Sequence, residues 1–419
     1  MTEENSTGAD PFQEGMTLMP GNPAWQENPY RILDRIREAG RIHHDAMLGR
    51  YLVTGFKDVE EVLHDRDLAV DPRRAAPGTF SQMFRGDRDE PEEGARSMLF
   101  LDPPEHTRLR SLVQKAFTPR AVDRMAPRIR EIADELLDAL EGEETWDLMA
   151  SFAAPYPTTV IAEMLGVDPN DRATFKSWSD AIVAAAFDPF APEEKQTAAL
   201  AAGEALSAYI RDALASRRDR PTDDLLAGML EAEEAGDFLN DDEIVAMVSL
   251  LLLAGNLTTT DLIGNGILAF MRNPDEWRKL CTDPSLVENA VEEMLRYDPP
   301  VTFSGRITVD EREVAGCPVQ AGQSLTVSLG GANYDPEVHA DPFRFDITRE
   351  DAVHLSFGGG RRYCLGSSLA RLEARIALTA LSSRFPDLHL ASEEIERKTV
   401  PGFRGLQRLL VSSGARADR

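Results

Sequence analysis

Residues 357–366, FGGGRRYCLG, crowd glycines into a loop that ends close to a cysteine. A phosphate-binding loop would close on Gly-Lys-Ser/Thr, and a dinucleotide-binding loop would follow a strand and precede a ribose-binding acid. This loop has neither continuation. Instead, Cys364 opens a helix-like stretch, LGSSLARLEARIALTALSSRF. The dipole and the free N–H groups at the start of such a helix would favour Cys364 as a thiolate.

Glycines in this loop let a flat ligand approach the backbone, because they carry no Cβ. A thiolate beneath a flat ligand, with N–H donors around the sulfur, is typical of a haem iron site. The other interpretation is a buried free cysteine that caps a helix after a tight turn, and the loop alone does not decide between the two. For Cys281 and Cys317 that structural interpretation is preferred.

The composition is that of a globular protein: 419 residues, of which 42% are hydrophobic and 28% charged. A net charge of −27 argues against a nucleic-acid surface. The three cysteines are a poor disulfide framework and indicate a reducing compartment. No signal-peptide pattern is present, and no apolar run reaches the ~20 residues of a membrane span. We therefore expect a cytoplasmic protein that binds neither nucleic acid nor membrane.

Apolar spacing predicts a mainly α fold with a minor β part. Residues 118–286 have a mostly helical pattern. Within them, a helix of roughly 30 residues begins near Asn240 and stops before Pro274, and its apolar character all round predicts a buried central helix. Alternating apolar residues at 325–329 follow a Pro/Gly turn and predict a small sheet. The charged residues 71–96 are expected to form a long loop.

The glycine-rich loop resembles the haem-binding loop of the cytochrome P450 family, Phe-x-x-Gly-x-x-x-Cys-x-Gly. Four other segments resemble family motifs in the right order: DPPEHTRLR a haem-contacting segment, AGNLTTT the oxygen-binding notch, EEMLR the Glu-x-x-Arg motif and DPFRF the meander. The resemblance spans nearly the whole chain and fits the soluble bacterial type best. It implies the cytochrome P450 fold, a triangular helical prism with a long central helix and small β-sheets. We expect one such domain over residues 16–419, after a disordered tail at 1–15.

The resemblance implies a haem b cofactor whose iron is ligated by the Cys364 thiolate, which donates electron density that favours O–O cleavage. Haem propionates need cations or hydrogen-bond donors when they are buried. His106, Arg110 and Arg306 match the family's propionate contacts, and Arg362 stands where the family usually has histidine. The implied haem-binding residues are Phe357, Gly358, Cys364, Gly366, His106, Arg110, Arg306 and Arg362.

Glu293, Arg296 and Arg344 are implied to form the family's buried Glu-Arg-Arg cluster, to which we assign a structural role. Structural or surface roles are also preferred for Arg108, Arg361 and His354.

Oxygen activation needs two protons, so a hydroxyl and a relay acid are expected near the iron. Thr258 matches the family's threonine, but Leu257 occupies the position before it, where Asp or Glu is usual. Asp261 lies one turn on and could restore a carboxylate, although a solvated or core-bonded acid is the preferred interpretation. Glu373 matches a buried glutamate that supports proton delivery in some relatives. The catalytic candidates are Ala254, Gly255, Asn256, Thr258, Asp261 and Glu373.

Substrate contacts follow from the same resemblance, with local core packing as the alternative for each aromatic. Electrons must come from a partner, and a basic proximal patch would suit an acidic ferredoxin, with ordinary solvated charge as the alternative. The pocket candidates are Leu250, Leu253, Val301, Thr302, Phe80, Phe84, Phe187 and Phe403. The patch candidates are Lys115, Arg120, Arg371 and Arg375.

The function that these residues predict is monooxygenation of a small apolar organic substrate, with electrons from NAD(P)H through a ferredoxin. Because Leu257 cannot carry a proton, non-oxygenase chemistry on the same fold stays open: nitric oxide reduction, rearrangement or oxidative coupling. A haem-bound sensor is a third interpretation, against which the Ala254–Gly255 notch and the long loop argue.

Overall fold

The computed structural model describes residues 18–19, 21–83, 96–186, 188, 191–220, 222, 224–234, 236–350 and 352–413. The tail at 1–15 and the pocket candidates Phe84 and Phe187 lie outside these residues, as does the side chain of Lys115. Helices dominate the described chain, and five small sheets accompany them there. The prediction of a mainly α fold with a minor β part is therefore confirmed.

The helices are α1 (Pro23–Glu27), α2 (Pro29–Ala39), α3 (Phe56–His64), α4 (Phe80–Met83), α5 (Glu105–Val113), α6 (Pro119–Asp138), α7 (Pro155–Met164), α8 (Arg172–Ala186), α9 (Glu193–Asp219), α10 (Leu225–Glu231), α11 (Asp241–Arg272), α12 (Pro274–Thr282), α13 (Val287–Tyr297), α14 (Leu329–Ala332) and α15 (Ser367–Arg384). The strands are β1 (Ile42–Asp45), β2 (Arg50–Val53), β3 (Thr145–Asp147), β4 (Glu233–Glu234), β5 (Asp237–Phe238), β6 (Phe303–Ile307), β7 (Arg312–Val314), β8 (Cys317–Val319), β9 (Ser324–Ser328), β10 (His389–Leu390), β11 (Glu396–Arg397), β12 (Leu406–Arg408) and β13 (Leu410–Ser412).

Helix α11 is the predicted central helix. Asn240 caps its start in a capping box with Glu243, and Pro274 begins the next helix after the cap residue Asn273. Its 32 residues span about 48 Å, and most of them are buried, including the whole run from Thr259 to Met271. The helix is long and apolar enough to cross a membrane, but 61% of its most apolar window is buried inside the protein, as in a core helix.

The largest sheet has the strand order β1-β2-β9-β6. Strand β9 pairs in parallel with β2 and antiparallel with β6, and all five of its residues are buried, the polar Ser324, Thr326 and Ser328 as well as the apolar Leu325 and Val327. Strand β9 ends one residue before the end of the predicted strand at 325–329, because Leu329 begins α14. A second sheet pairs β3 with β13, so a short strand interrupts the region predicted as helical and joins it to the far end of the chain.

Candidate functional site

The glycine-rich loop turns tightly ahead of α15. The N–H of Cys364 donates to the carbonyl of Phe357 at 2.9 Å. Gly360 adopts a φ of +60° and lies so close to α3 that a Cβ there would be 2.7 Å from the Leu63 carbonyl oxygen, so only glycine fits. Gly358 also has a positive φ, and a Cβ on Gly366 would meet nothing within 4 Å. The backbone at Gly366 therefore borders open space that a flat ligand could occupy.

Cys364 lies three residues before the first residue of α15. Burial of its thiol raises the pKa above the ordinary value, although the N–H groups of Gly366 and Ser367 and the charges of Arg110 and Arg371 act to lower it. The N–H groups and the cations therefore act in the direction expected for a thiolate, and burial acts against them. The iron of a bound haem would keep the sulfur deprotonated, since coordination deprotonates a thiol outright.

The cations implied for the haem propionates converge in one cluster. Arg306 on β6 is 5% exposed, and its pKa falls to about 10 through burial and the charges of Arg362 and Arg361. Burial likewise lowers the pKa of Arg362 to about 10, against the effect of Asp102, which accepts a hydrogen bond from it at 3.1 Å. Arg110 donates to the backbone carbonyl of Tyr363 at 2.7 Å, which ties α5 to the glycine-rich loop.

His106 is 3% exposed, and its Nδ1 has no hydrogen-bond partner among the described residues. Burial and the neighbouring charges of Arg362 and Arg110 lower the pKa of His106 to about 4, so the ring is neutral. A buried neutral imidazole with an unsatisfied nitrogen, among cations that repel one another, is a site for an anionic hydrogen-bonding ligand. The two propionates of a haem fit this requirement.

Two residues of the cluster were missed or misjudged from the sequence. Asp102 is the acid of the segment DPPEHTRLR: it accepts from Arg362 and from the N–H groups of Val70 and Asp71, and it lines a cleft of about 480 Å³. Its signal was an acid at the start of a segment that also carries His106, Arg108 and Arg110. Arg361 is no free surface charge, because it donates to the Leu68 carbonyl at 2.9 Å and its charge lowers the pKa of His106.

We expect Arg306→Gln to weaken haem binding by about 2 kcal/mol, roughly thirtyfold in affinity, because a buried charge-assisted contact is lost. Haem transfer to apomyoglobin measures this affinity. Arg108→Gln is the matched control, since Arg108 pairs with Glu243 and Asp237 instead. Equal haem loss from both variants would show that the cation cluster does not hold the propionates.

Beneath the loop, Glu293 and Arg296 of α13 form a fully buried ion pair with N–O distances of 2.6 and 2.8 Å. The prediction of Arg344 as the third member is wrong. The Arg344 side chain is 60% exposed and faces Asp346, whereas Arg349 approaches Glu293 at 3.4 Å. Arg344 contributes only its carbonyl, which accepts hydrogen bonds from Arg296 and Arg349.

The notch lies in the middle of α11. Thr258 donates through its hydroxyl to the Ala254 carbonyl at 2.6 Å, and a Cβ on Gly255 would have ordinary contacts with Ile161. Asn256 is buried, and its amide oxygen accepts from Thr158 at 2.8 Å. This bond ties α7 to α11, so the Asn256 amide holds two helices together.

Both candidate relay acids are buried, and Leu257, at the position where an acid is usual, carries no proton. Asp261 accepts from the Lys398 ammonium at 2.7 Å, and burial raises the pKa of its carboxyl to about 6 against the charge of that lysine. Burial raises the pKa of Glu373 to about 8, opposed by a side-chain hydrogen bond with Thr259. The preferred interpretation of Asp261 as a core-bonded acid fits its ion pair.

The pocket candidates divide by their contacts. Leu250 is buried and Leu253 half-buried on α11, while Val301 forms an isolated bridge with Phe403. Thr302 is buried with its hydroxyl donating to the Gly402 carbonyl at 3.0 Å, so it supports the loop that carries Phe403.

Phe80 packs its ring under the Arg50 guanidinium at 4.9 Å, which matches the local-packing alternative. Phe357 lies half-buried beneath Arg371, whose guanidinium carbon is 4.5 Å from the ring centroid.

The proposed basic patch is partly neutralised by acids of α13. Arg371 makes a two-fold pair with Glu292 at 2.7 and 2.8 Å, and Arg375 pairs with Glu288 at 2.9 Å. His354 also bonds Glu292, at 3.1 Å, as the structural interpretation expected. The sequence did not predict Glu292 and Glu288 as partners, because they lie about 80 positions away from these arginines.

A loop open to a flat ligand, a cysteine at its end and a cation cluster for two carboxylates define a haem-thiolate protein. The family model of the cytochrome P450s matches residues 46–283 and 282–403. Cytochrome P450 107B1 of Saccharopolyspora erythraea is 41% identical over 408 residues, covering 95% of this chain and 98% of that protein. The 6-deoxyerythronolide B hydroxylase of the same organism is 37% identical, covering 94% and 99%.

Among solved structures, myxobacterial cytochrome P450 CYP267B1 in complex with myristic acid superposes with a TM-score of 0.86 at 39% identity, covering 94% of this chain and 98% of that one. This chain belongs to the cytochrome P450 family. It has that family's fold and its cysteine-ligated haem, and it is an oxidoreductase of the P450 monooxygenase type.

Proposed function

We propose that the chain inserts one oxygen atom from dioxygen into a small apolar organic molecule, in the cytoplasm, with electrons from NAD(P)H through a ferredoxin. Support for the substrate class comes from the side chains that we propose line the pocket. The side chains of Leu250, Leu253 and Val301 are entirely apolar, and the Thr302 hydroxyl already donates to the Gly402 carbonyl. Such a surface excludes water and selects ligands by shape. The hydroxylase and the myristic acid complex among the relatives are compatible with it.

The site residues have two roles: some would hold the haem, and others would transfer protons. When bound, the haem supplies binding and activation of dioxygen. Arg306, Arg362 and His106 orient its propionates, and Cys364 supplies the sulfur ligand with two backbone N–H groups beside it. The Thr258 hydroxyl, placed over the notch, can donate a hydrogen bond to dioxygen and accept a replacement proton.

Support for a ferredoxin comes from the exposed proximal surface. Tyr363 is exposed, and its hydroxyl accepts from Arg371 at 3.2 Å. Carboxylates of an acidic partner can compete with Glu292 and Glu288 for the arginines of α15. An interface of this kind would be sensitive to salt.

A second candidate function rests on Leu257. It is 8% exposed and replaces the acid that usually feeds the notch, so nitric oxide reduction, rearrangement or oxidative coupling are reactions that this site could support with fewer proton demands.

The test is a spin-state titration of the ferric protein with terpenoids, steroids, aromatics, fatty acids and macrolides, followed by the Soret band. We expect one apolar class to give a saturable shift to high spin, because the ligand displaces water from the iron. That class should then yield an oxygenated product with NADPH, a ferredoxin and its reductase. A protein with intact thiolate ligation that responds to no class, or that converts its ligand without incorporating oxygen, contradicts the proposal and favours the second candidate.

A further inference from the structure

Delivery of protons to Thr258 has to bypass Leu257, and two buried acids lie nearby. Glu373 reaches the notch through the Thr259 side chain, and it is only 2% exposed. No lysine, arginine or histidine is among the causes of its pKa shift. Glu373 can therefore store a proton, but the described residues show no group that would bring it one from solvent.

Asp261 differs in its position on α11. It lies three residues after Thr258, a spacing that places the two Cβ atoms about 5–6 Å apart on adjacent turns. Its side chain is fully buried. One carboxylate oxygen, Oδ1, accepts from Lys398, whereas Oδ2 has no partner in the described part of the chain. A buried carboxylate oxygen left unpaired is costly, so Oδ2 is suited to carry a proton or to bind a water.

Lys398 connects this carboxylate to the outside. Its side chain is 22% exposed, and its ammonium lies 2.7 Å from Asp261. The backbone of Lys398 is fixed by its N–H bond to the Gly405 carbonyl at 3.0 Å. A Cβ on Gly405 would lie 2.0 Å from Oδ1 of Asp261, so glycine at 405 leaves the space that the carboxylate occupies.

We propose that Lys398 and Asp261 form a proton entry to Thr258 that replaces the acid missing at position 257; this rests on the oxygenase function proposed above. The Lys398 ammonium gives a proton to the Asp261 carboxylate and is reprotonated from solvent. The Asp261 carboxylic acid gives its proton, directly or through one water, to the Thr258 hydroxyl oxygen as that hydroxyl donates its own. No electrons move in these steps, and each group returns to its starting state.

The charges around Asp261 give this entry a pH dependence. Lys398 and Arg397 lower the pKa of Asp261, while burial and Asp298 raise it, and the result is about 6. Only the protonated acid donates, so the fraction able to deliver a proton falls as the pH rises through about 6. Proton delivery should therefore weaken on the alkaline side, and electrons should leave increasingly as hydrogen peroxide.

The experiment measures hydrogen peroxide formed per NADPH oxidised by the holoenzyme, with a plant-type [2Fe–2S] ferredoxin and its reductase, and needs no known substrate. We expect Asp261→Asn to raise the peroxide share about threefold and to abolish its rise with pH. Lys398→Met should also raise the peroxide share, but it should move the rise with pH to higher pH, because the lysine no longer lowers the pKa of Asp261. Asp224→Asn, which breaks another poorly exposed ion pair, with Arg217, is the matched control and should behave as the unaltered protein.

An infrared difference spectrum across the same pH change supplies a readout that does not depend on turnover. It should show a carboxyl C=O band titrating near pH 6 that Asp261→Asn removes. The inference is overturned if both variants keep the thiolate-type carbonyl spectrum, the original peroxide share and its pH dependence, or if no such band exists. If the unaltered protein oxidises no NADPH at all, the proposed electron route fails, and the infrared band alone decides on Asp261.

Discussion

Glu293→Ala is expected to lower the free energy of unfolding by about 3–5 kcal/mol, because it leaves a buried guanidinium without its counter-charge. Glu293 accepts two hydrogen bonds from Arg296, one from the N–H of Asp346 at 2.9 Å, and lies 3.4 Å from Arg349. Such a loss is a large part of the total stability of a typical domain. Denaturant unfolding of the haem-bound protein measures this free energy. We also expect Glu293→Ala to yield less haem-bound protein than the unaltered sequence.

The arginine variants make this prediction specific. Arg349→Ala should cost about 2 kcal/mol, since Arg349 contacts Glu293 and also donates to the Ala340 carbonyl at 2.8 Å. Arg344→Ala should change stability by less than about 0.5 kcal/mol, as for other exposed ion pairs. If Arg344→Ala lowered the stability more than Arg349→Ala, then Arg344 and not Arg349 would be the third member of the buried cluster.

Cys364→Ser is expected to reduce NADPH-dependent product formation about a thousandfold, equivalent to about 4 kcal/mol in the barrier. Serine keeps the size of the side chain and can still accept the N–H groups of Gly366 and Ser367. It removes the thiolate whose electron donation favours O–O cleavage. The reduced carbonyl spectrum should lose its thiolate signature while the cation cluster still binds haem.

Cys281→Ser and Cys317→Ser are the matched controls, because both residues are half-buried free cysteines without a place in the site. Each should keep the thiolate spectrum and the rate of product formation. If Cys364→Ser kept the thiolate spectrum and Cys281→Ser or Cys317→Ser lost it, the iron ligand would lie outside the glycine-rich loop.

Features with strong local signals could be predicted from the sequence. Helix α11 has a capping box at one end, a proline beyond the other and apolar residues between, and its bounds match the expectation within a few residues. The glycine-rich loop was also interpretable, since the positive φ at Gly360 is a local requirement for glycine. Such signals depend on neighbours in the chain, so they need no knowledge of the fold.

Features that depend on distant segments could not be predicted in the same way. The meander offers two arginines five positions apart, and only the folded backbone decides that Arg349 is the one that approaches Glu293. The charge of Arg371 is offset by Glu292, which comes from another helix. The burial that raises the pKa of Cys364 likewise comes from surrounding elements, so it could not be predicted from the start of the helix.

The pairing of β3 with β13 has a consequence for biosynthesis. The Ser412 hydroxyl donates to the carbonyl of Glu144, 268 positions earlier. Strand β3 therefore cannot pair until the ribosome has made β13. Strand β2 likewise waits for β9. At roughly 5–20 residues per second, the first half of the chain spends many seconds without these partners. The two sheets should therefore close only after β9 and β13 have been made.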